Sequence, residues 1–315
     1  MSDPSGRDID VLVLGDARPD LWLRGTEVEE IVFDDRGHPV DDAALELGGG
    51  GAVTAVALAR LGERTAFAGL VGDDAWGRFV RDALEAEGVD VSGLHVRPGA
   101  ETGVSVVLKR GSGRAILVAA GAVEEFDGSV IPTSLLERSR HVHVASYFAL
   151  TGLQPDVPEL FASAKGSGAT TSIDPGNDPT GRWDSGLLSV LDRTDVLFPN
   201  SAELRQVTGI DDVDVAAESL AERGTTLAVK FGLGGGMVLR GGDSLHVEAV
   251  PVDVVDRAGA GAAFDAGFLV AWIDDEPPER CLRIAVACGS HAVRAAGAIG
   301  GLPTRDSAFA ASGAS

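Results

Sequence analysis

Short apolar runs alternate along this chain with helical patterns, and no other feature limits its fold as strongly. Val11-Leu12-Val13-Leu14 ends in Gly15, as expected of a strand covered on both faces in a parallel sheet. Residues 65–70, 141–144, 170–173, 196–198 and 227–230 repeat the pattern. Between them lie helical stretches. Residues 52–61 are apolar at nearly every position and follow Gly48-Gly49-Gly50-Gly51, which predicts a helix buried all round. Residues 74–87 carry Trp76, Phe79, Val80 and Leu84 at helical spacing. A hairpin of 236–240 with 244–249 precedes two Ala-rich helices at 261–273 and 279–296. The series predicts an α/β fold, a doubly wound and mostly parallel sheet with helices on both faces.

Two stretches break the alternation. Residues 16–47 are polar, with short strand-like pieces such as Glu30-Ile31-Val32-Phe33. Further on, Val104-Ser105-Val106-Val107-Leu108 and Ala115-Ile116-Leu117-Val118 flank Gly111-Ser112-Gly113 as a β-hairpin would. The two segments are expected to pair in a small sheet projecting from the body. No internal repeat or long linker interrupts the chain, so residues 1–315 read as one domain, with the small sheet drawn from about 17–46 and 97–123. The tail beyond Arg305 is small and polar and is expected to fray.

Charge removes several function classes. The chain has 26 Lys and Arg against 48 Asp and Glu, a net charge of −22, a field that repels nucleic acid and anionic lipid. Any bound phosphate must therefore be held by local geometry. No apolar run reaches the length of about 18 residues that a membrane span needs, and no charged-then-apolar leader opens the chain, so a soluble, cytoplasmic protein is expected, with neither nucleic acid nor membrane as partner. Cys281 and Cys288 share one helix and suit core packing. His141 and His143 alternate on a strand, a poor metal site without a third ligand.

The segment from Val255 to Gly267 carries the chemistry. Gly259, Ala260 and Gly261 open an apolar helix, where bare N–H groups and the positive end of the helix dipole make an anion hole. The alternative is a pair of glycines that merely lets the helix pack closely. Lys230 ends a strand, and Phe231-Gly232-Leu233-Gly234-Gly235-Gly236 lets a nucleotide lie against backbone, although hairpin turns use the same residues. Asn200 and Glu203 follow another strand. They suit either a Mg²⁺–phosphate group or a helix N-terminus with Asn200 as cap. There is no GxxxxGK[ST] loop, and no GxGxxG follows the first strand, which disfavours a dinucleotide-dependent oxidoreductase.

In order and spacing, from residue 9 to about 303, these segments resemble the PfkB (ribokinase-like) carbohydrate kinases. The resemblance rests on Gly48-Gly49, on Leu61-Gly62, and on Gly69-Leu70-Val71-Gly72-Asp73-Asp74-Ala75-Trp76-Gly77. Asp174-Pro175-Gly176-Asn177, Asn200-Ser201-Ala202-Glu203, Gly232-Leu233-Gly234-Gly235 and the stretch from Asp256 to Gly267 extend it. It implies ATP-dependent phosphorylation of a sugar hydroxyl, with the small sheet as a lid over the acceptor. By resemblance, Asp20, Gly48 and Gly49 bind substrate hydroxyls, and Asn200 and Glu203 organise Mg²⁺. Lys230, Gly232, Gly235 and Val286 line ATP, and Asp256 joins the K⁺ site that some members have. The implied partner is a small unphosphorylated sugar or sugar acid, as in ribokinases, fructokinases or 2-keto-3-deoxygluconate kinases. Exposed lid edges point to a homodimer.

Three positions depart from the family pattern. Ala262 stands where the family has the Asp that takes the proton from the attacking hydroxyl, and a methyl group accepts none. Val53 and Val123 replace Asn in segments the family turns toward substrate. Asp265, three residues on, starts about 4.5 Å further along the helix axis and reads as a solvated or capping carboxylate. A kinase impaired at proton removal is the expectation, and a catalytically silent sugar- or nucleotide-binding protein is the alternative.

Overall fold

A computed structural model describes residues 6–25, 37–110, 113–184 and 186–312. In chain order it contains β1 (Ile9–Leu14), β2 (Arg18–Arg24), β3 (Asp42–Gly48), α1 (Gly50–Arg60), β4 (Thr65–Gly72), α2 (Ala75–Ala86), β5 (Asp90–Arg97), β6 (Thr102–Arg110) and β7 (Gly113–Gly121). Then follow α3 (Thr133–Arg138), β8 (Ser139–Val144), α4 (Val157–Gly166), β9 (Thr170–Ile173), α5 (Leu187–Val190), β10 (Val196–Leu197), α6 (Ser201–Thr208) and α7 (Val213–Ala221). The chain closes with β11 (Thr226–Lys230), β12 (Gly236–Arg240), β13 (Asp243–Val247), α8 (Ala260–Trp272), α9 (Pro278–Ala292) and α10 (Arg305–Ser312).

Nine strands form one sheet in the order β13-β12-β11-β10-β9-β8-β1-β4-β5. From β5 to β11 every pairing is parallel, and β12 and β13 run antiparallel at one edge. Successive side chains of a strand point to opposite faces, so the sheet feeds two cores. Val11 and Val13 pack with α1, α8 and α9 on one face. Leu12 and Leu14 pack with α3, α4 and α7 on the other. Helices α1 and α8 lie beneath sheet and neighbouring helices together, which is why both lack a polar face. Gly51 to Leu58 in α1 and Ala263 to Ala271 in α8 are buried without a break.

The small sheet has the order β3-β2-β6-β7, with β2 parallel to β6. It matches the expected lid, although Glu30-Ile31-Val32-Phe33 and the turn residues Gly111 and Ser112 lie outside the described residues. One expectation is overturned. The tail does not fray at Arg305: it forms α10, where Ala308 is fully buried and Arg305 pairs with Glu63 at 3.0 Å. The edge strand β5 has no counterpart among the strands expected from the sequence pattern.

Candidate active site

In a parallel sheet, ligands gather beyond the carboxyl ends of the strands. Here Ser146, Asp174 and Asn200 follow β8, β9 and β10, and Lys230 ends β11. All four line one cleft of about 380 Å³. Glu203, Gly232, Gly235, Arg257, Ala260, Gly261 and Val286 line it too. The structure therefore brings together Asn200, Glu203, Lys230, Gly232, Gly235, Ala260, Gly261 and Val286. Gly259 sits just ahead of α8 at φ 76°, where a Cβ would run into the Ala298 carbonyl. That turn leaves the first amides of a thirteen-residue helix open to the cleft.

Lys230 is the centre of the charge arrangement. Its Nζ donates to Asp174 Oδ2 at 2.7 Å and to both oxygens of Asp265 at 3.0 and 3.1 Å. The same ammonium lies 3.9 Å from where a Cβ on Gly261 would stand, beside the amino end of α8. Asp265 has no exposed surface, which overturns its reading as a solvated or capping carboxylate: it is an internal anchor for Lys230. Burial pushes the Asp265 carboxyl well above the usual range. At Asp174 burial acts in the same direction but is outweighed by Lys230, which holds that carboxyl low. The Lys230 ammonium is raised: burial opposes its charge, and the two aspartates more than compensate.

Asn200 and Glu203 satisfy the helix-start reading in full. Asn200 Oδ1 accepts from the amides of Ala202 and Glu203, and Glu203 Oε2 accepts from the Asn200 amide, a reciprocal capping box on α6. The second Glu203 oxygen is outside that box, and the residue borders the cleft. Burial, then the neighbouring Asp174, raises the Glu203 carboxyl to about 7. A single carboxylate beside a phosphate cradle is a donor set that suits Mg²⁺, which keeps most of its own water.

The lid side forms a second group. The Asp20 carboxyl lies over the Gly48 Cα, in space a side chain there would fill. Its Oδ1 is buried and makes no hydrogen bond, with Arg18 Nε 3.9 Å away, and burial raises its carboxyl. Next to it, Asp16 accepts from the Gly51 amide at 3.2 Å and pairs with Arg18, whose Nε donates to Ser105 at 2.6 Å. Gly49 joins this group at the start of α1. Ser146, in the left-handed region at φ 57°, has its Oγ against Gly50 and links the lid group to the cleft.

Sequence reasoning misses Asp16, Arg18, Ser105, Ser146 and Asp174 as site residues. The strand-end rule is the signal that finds three of them, since Asp16, Ser146 and Asp174 each follow a strand closely. Val53 is buried in one apolar core and Val123 in the other. Ala262 is half-buried on the first turn of α8. The carboxylate of Asp256 is occupied: Lys109 Nζ donates to it at 3.0 Å and Arg114 lies 3.6 Å away. Among the described residues there is no cluster of three or more His, Cys, Asp or Glu suited to a metal, and no helix is long and apolar enough to cross a membrane. His141 and His143 are core residues bonded to the Ser172 hydroxyl, and burial holds His143 down at about 4.

An open parallel sheet with a glycine-headed helix at its strand ends, covered by a four-stranded lid, defines a ribokinase-like fold. The chain belongs to the pfkB family of carbohydrate kinases, whose family model matches residues 9–305. Family membership makes it a sugar kinase by class, a phosphotransferase with an alcohol acceptor. It is 35% identical to the ATP-dependent ribose-1-phosphate kinase of Halopiger xanaduensis over 77% of this chain and 79% of that protein. It is 31% identical to the fructokinase of Klebsiella pneumoniae over 91% of this chain and 97% of that one. Among solved structures, Arabidopsis thaliana ribokinase complexed with ribose and ATP is 25% identical, with a TM-score of 0.81 over 96% of this chain and 98% of that chain.

Proposed function

We propose that this chain binds ATP–Mg²⁺ in the cleft and a small uncharged sugar under the lid, and that it transfers the γ-phosphoryl group slowly. The observation that carries the reading is the open, glycine-headed amino end of α8 facing the cleft. Bare amides at the positive end of a helix dipole suit a migrating phosphoryl group. ATP–Mg²⁺ supplies that group and the divalent charge that screens it. The α8 amides hold the γ-phosphate, Lys230 is held alongside by Asp174 and Asp265, Glu203 and Asn200 border the metal side, and Gly232, Gly235 and Val286 border the nucleotide. Asp20 accepts a sugar hydroxyl, and the lid excludes water from the acceptor.

The acceptor is read as uncharged because Asp16, Asp20 and Glu46 outnumber Arg18 and Arg24 in the lid group, and both arginines are already paired. A phosphorylated acceptor, as the name of the Halopiger relative implies for that protein, finds no spare cation in that group among the described residues. Proton removal is the weak step. Ala262 offers no base, and Asp265 is sealed behind Lys230, so no side chain takes the hydroxyl proton and it passes to an oxygen of the transferred phosphoryl group. Losing a general base costs about 10²–10⁴ in rate. The chain is read as one domain that pairs through its lids into a homodimer.

Calorimetric titration with ATP–Mg²⁺, followed by turnover assays on a panel of pentoses, hexoses and sugar acids, tests the reading. Binding with slow turnover is expected, and Ala262→Asp is expected to raise kcat by about 10²-fold or more with one sugar. Binding with no turnover in either protein would make the chain a silent sugar or nucleotide binder. Absence of ATP binding would overturn the kinase reading and leave only a sugar binder.

A further inference from the structure

The position that the family resemblance assigns to K⁺ is already occupied, by a side chain. The Asp256 carboxylate lies in the loop that leads into α8, and only 4% of its side chain is exposed. Its Oδ1 accepts from the Ala258 amide at 3.1 Å, which fixes the turn immediately ahead of Gly259 and the open amides. A carboxylate buried this deeply needs a counter-charge. Lys109 provides it. Its Nζ donates to Asp256 Oδ2 at 3.0 Å and to the Val255 carbonyl at 3.1 Å. One carboxylate and one backbone carbonyl form the kind of oxygen set a monovalent cation takes. The ammonium holds both, so the Asp256 donors do not fit an added K⁺.

The source of that ammonium is the lid. Lys109 on β6 stands directly opposite Arg114 on β7 and Arg24 on β2, so all three leave the lid sheet on one face. Three cations along one rung repel one another unless acidic groups meet them. Arg24 meets Asp42 and Glu46, both from β3 within the lid. Lys109 and Arg114 reach instead across to the body, where both converge on Asp256. An exposed ion pair would carry little weight, but here one member is nearly closed off from water.

We propose that Lys109, assisted by Arg114, is a tethered cation. With the lid down, its ammonium takes the place of a free K⁺ at Asp256, so the α8 amino end is set without added salt and only while the lid is closed. The fold thereby couples lid position to the phosphate cradle.

Thermal melting of the unliganded chain tests this without calling on nucleotide chemistry. Wild type and the double variant Lys109→Ala/Arg114→Ala are melted in KCl and in tetramethylammonium chloride at equal ionic strength. Wild type is expected to melt within about 1 °C in the two salts, and the double variant on the order of 3 °C higher in KCl, because K⁺ then fills the vacated oxygens. Lys109→Ala alone, which keeps Arg114, gives the same comparison with a smaller shift. A wild-type chain that K⁺ stabilises as strongly, or variants that gain nothing from K⁺, would overturn the proposal. ATP affinity in the two salts is a second reading that depends on the function proposed above. Should ATP not bind at all, the melting comparison still decides.

Discussion

At the scale of single residues, the Lys230 cluster is the most consequential feature. One ammonium serves Asp174 and Asp265 in a nearly dry setting, and removing it strands both carboxyls. Lys230→Met is expected to cost about 3–5 kcal/mol, and adding Asp265→Leu should restore about 1 kcal/mol or more of it, because an apolar replacement removes a stranded group. Urea unfolding of the single and double variants checks this, and no recovery in the double would show that the cluster does not act as a unit. Glu203 makes a second prediction. Its folded carboxyl sits at about 7, above the ordinary 4.5. Between those values the folded state holds more protons than the unfolded one, so stability falls as pH rises through the window. Glu203→Gln is expected to remove that contribution from the unfolding free energy in urea, leaving the slope set by Glu63, which burial also raises to about 7, and by His141 and His143, which burial lowers and which act with the opposite sign. The role of Asp265 is not legible in the sequence. Spacing along one helix says how far a carboxylate lies from its neighbours, whereas its partner Lys230 comes from a strand 35 residues away.

At the scale of elements, Asp74 joins the body to the lid. It caps α2 by accepting from the Gly77 amide at 2.7 Å, and it also takes the amide and hydroxyl of Thr102, both at 2.7 Å, at the first residue of β6. Asp74→Ala removes an N-cap, worth about 1 kcal/mol, and frees a buried threonine besides, so a loss of about 2 kcal/mol is expected. Chemical denaturation measures it, and a loss under about 0.5 kcal/mol would mean that solvent replaces those bonds. The elements themselves are largely readable. Strands covered on both faces give unbroken apolar runs, and helices beneath them give apolar faces all round, so β1, β4, β8 to β11, α1 and α8 stand out in the sequence. Strand β5 does not, because Asp90-Val91-Ser92-Gly93-Leu94-His95 lies at the sheet edge with several of its residues in solvent. Helix α10 is hidden for a related reason: only Ala308 of it is fully buried, and its position is set by Arg305 reaching Glu63.

At the scale of the whole molecule, the lid leaves something uncovered. Strand β7 is the outer edge of the lid sheet, and Ile116, Leu117 and Val118 on it are 49%, 61% and 54% exposed. Three adjacent apolar residues on an edge strand present both a free row of backbone groups and an apolar surface, a liability for a chain that stays alone. The net charge of −22 works against any association, and self-association at this edge has to overcome it. Two consequences separate the proposed lid-to-lid dimer from a monomer with a sticky edge. Apolar contact strengthens relative to charge repulsion as salt screens the latter. The dimer should therefore tighten from about 20 to about 300 mM NaCl, as the Debye length shrinks from roughly 20 Å to below about 8 Å. Leu117→Asp adds a charge to each copy at the centre of the contact and should convert the dimer to monomer while the melting temperature changes little, since most of that side chain faces solvent in its own chain. Sedimentation velocity at both salt concentrations reads the outcome. A wild-type chain that sediments as a monomer throughout, or a Leu117→Asp variant that remains dimeric, would place the contact elsewhere or nowhere.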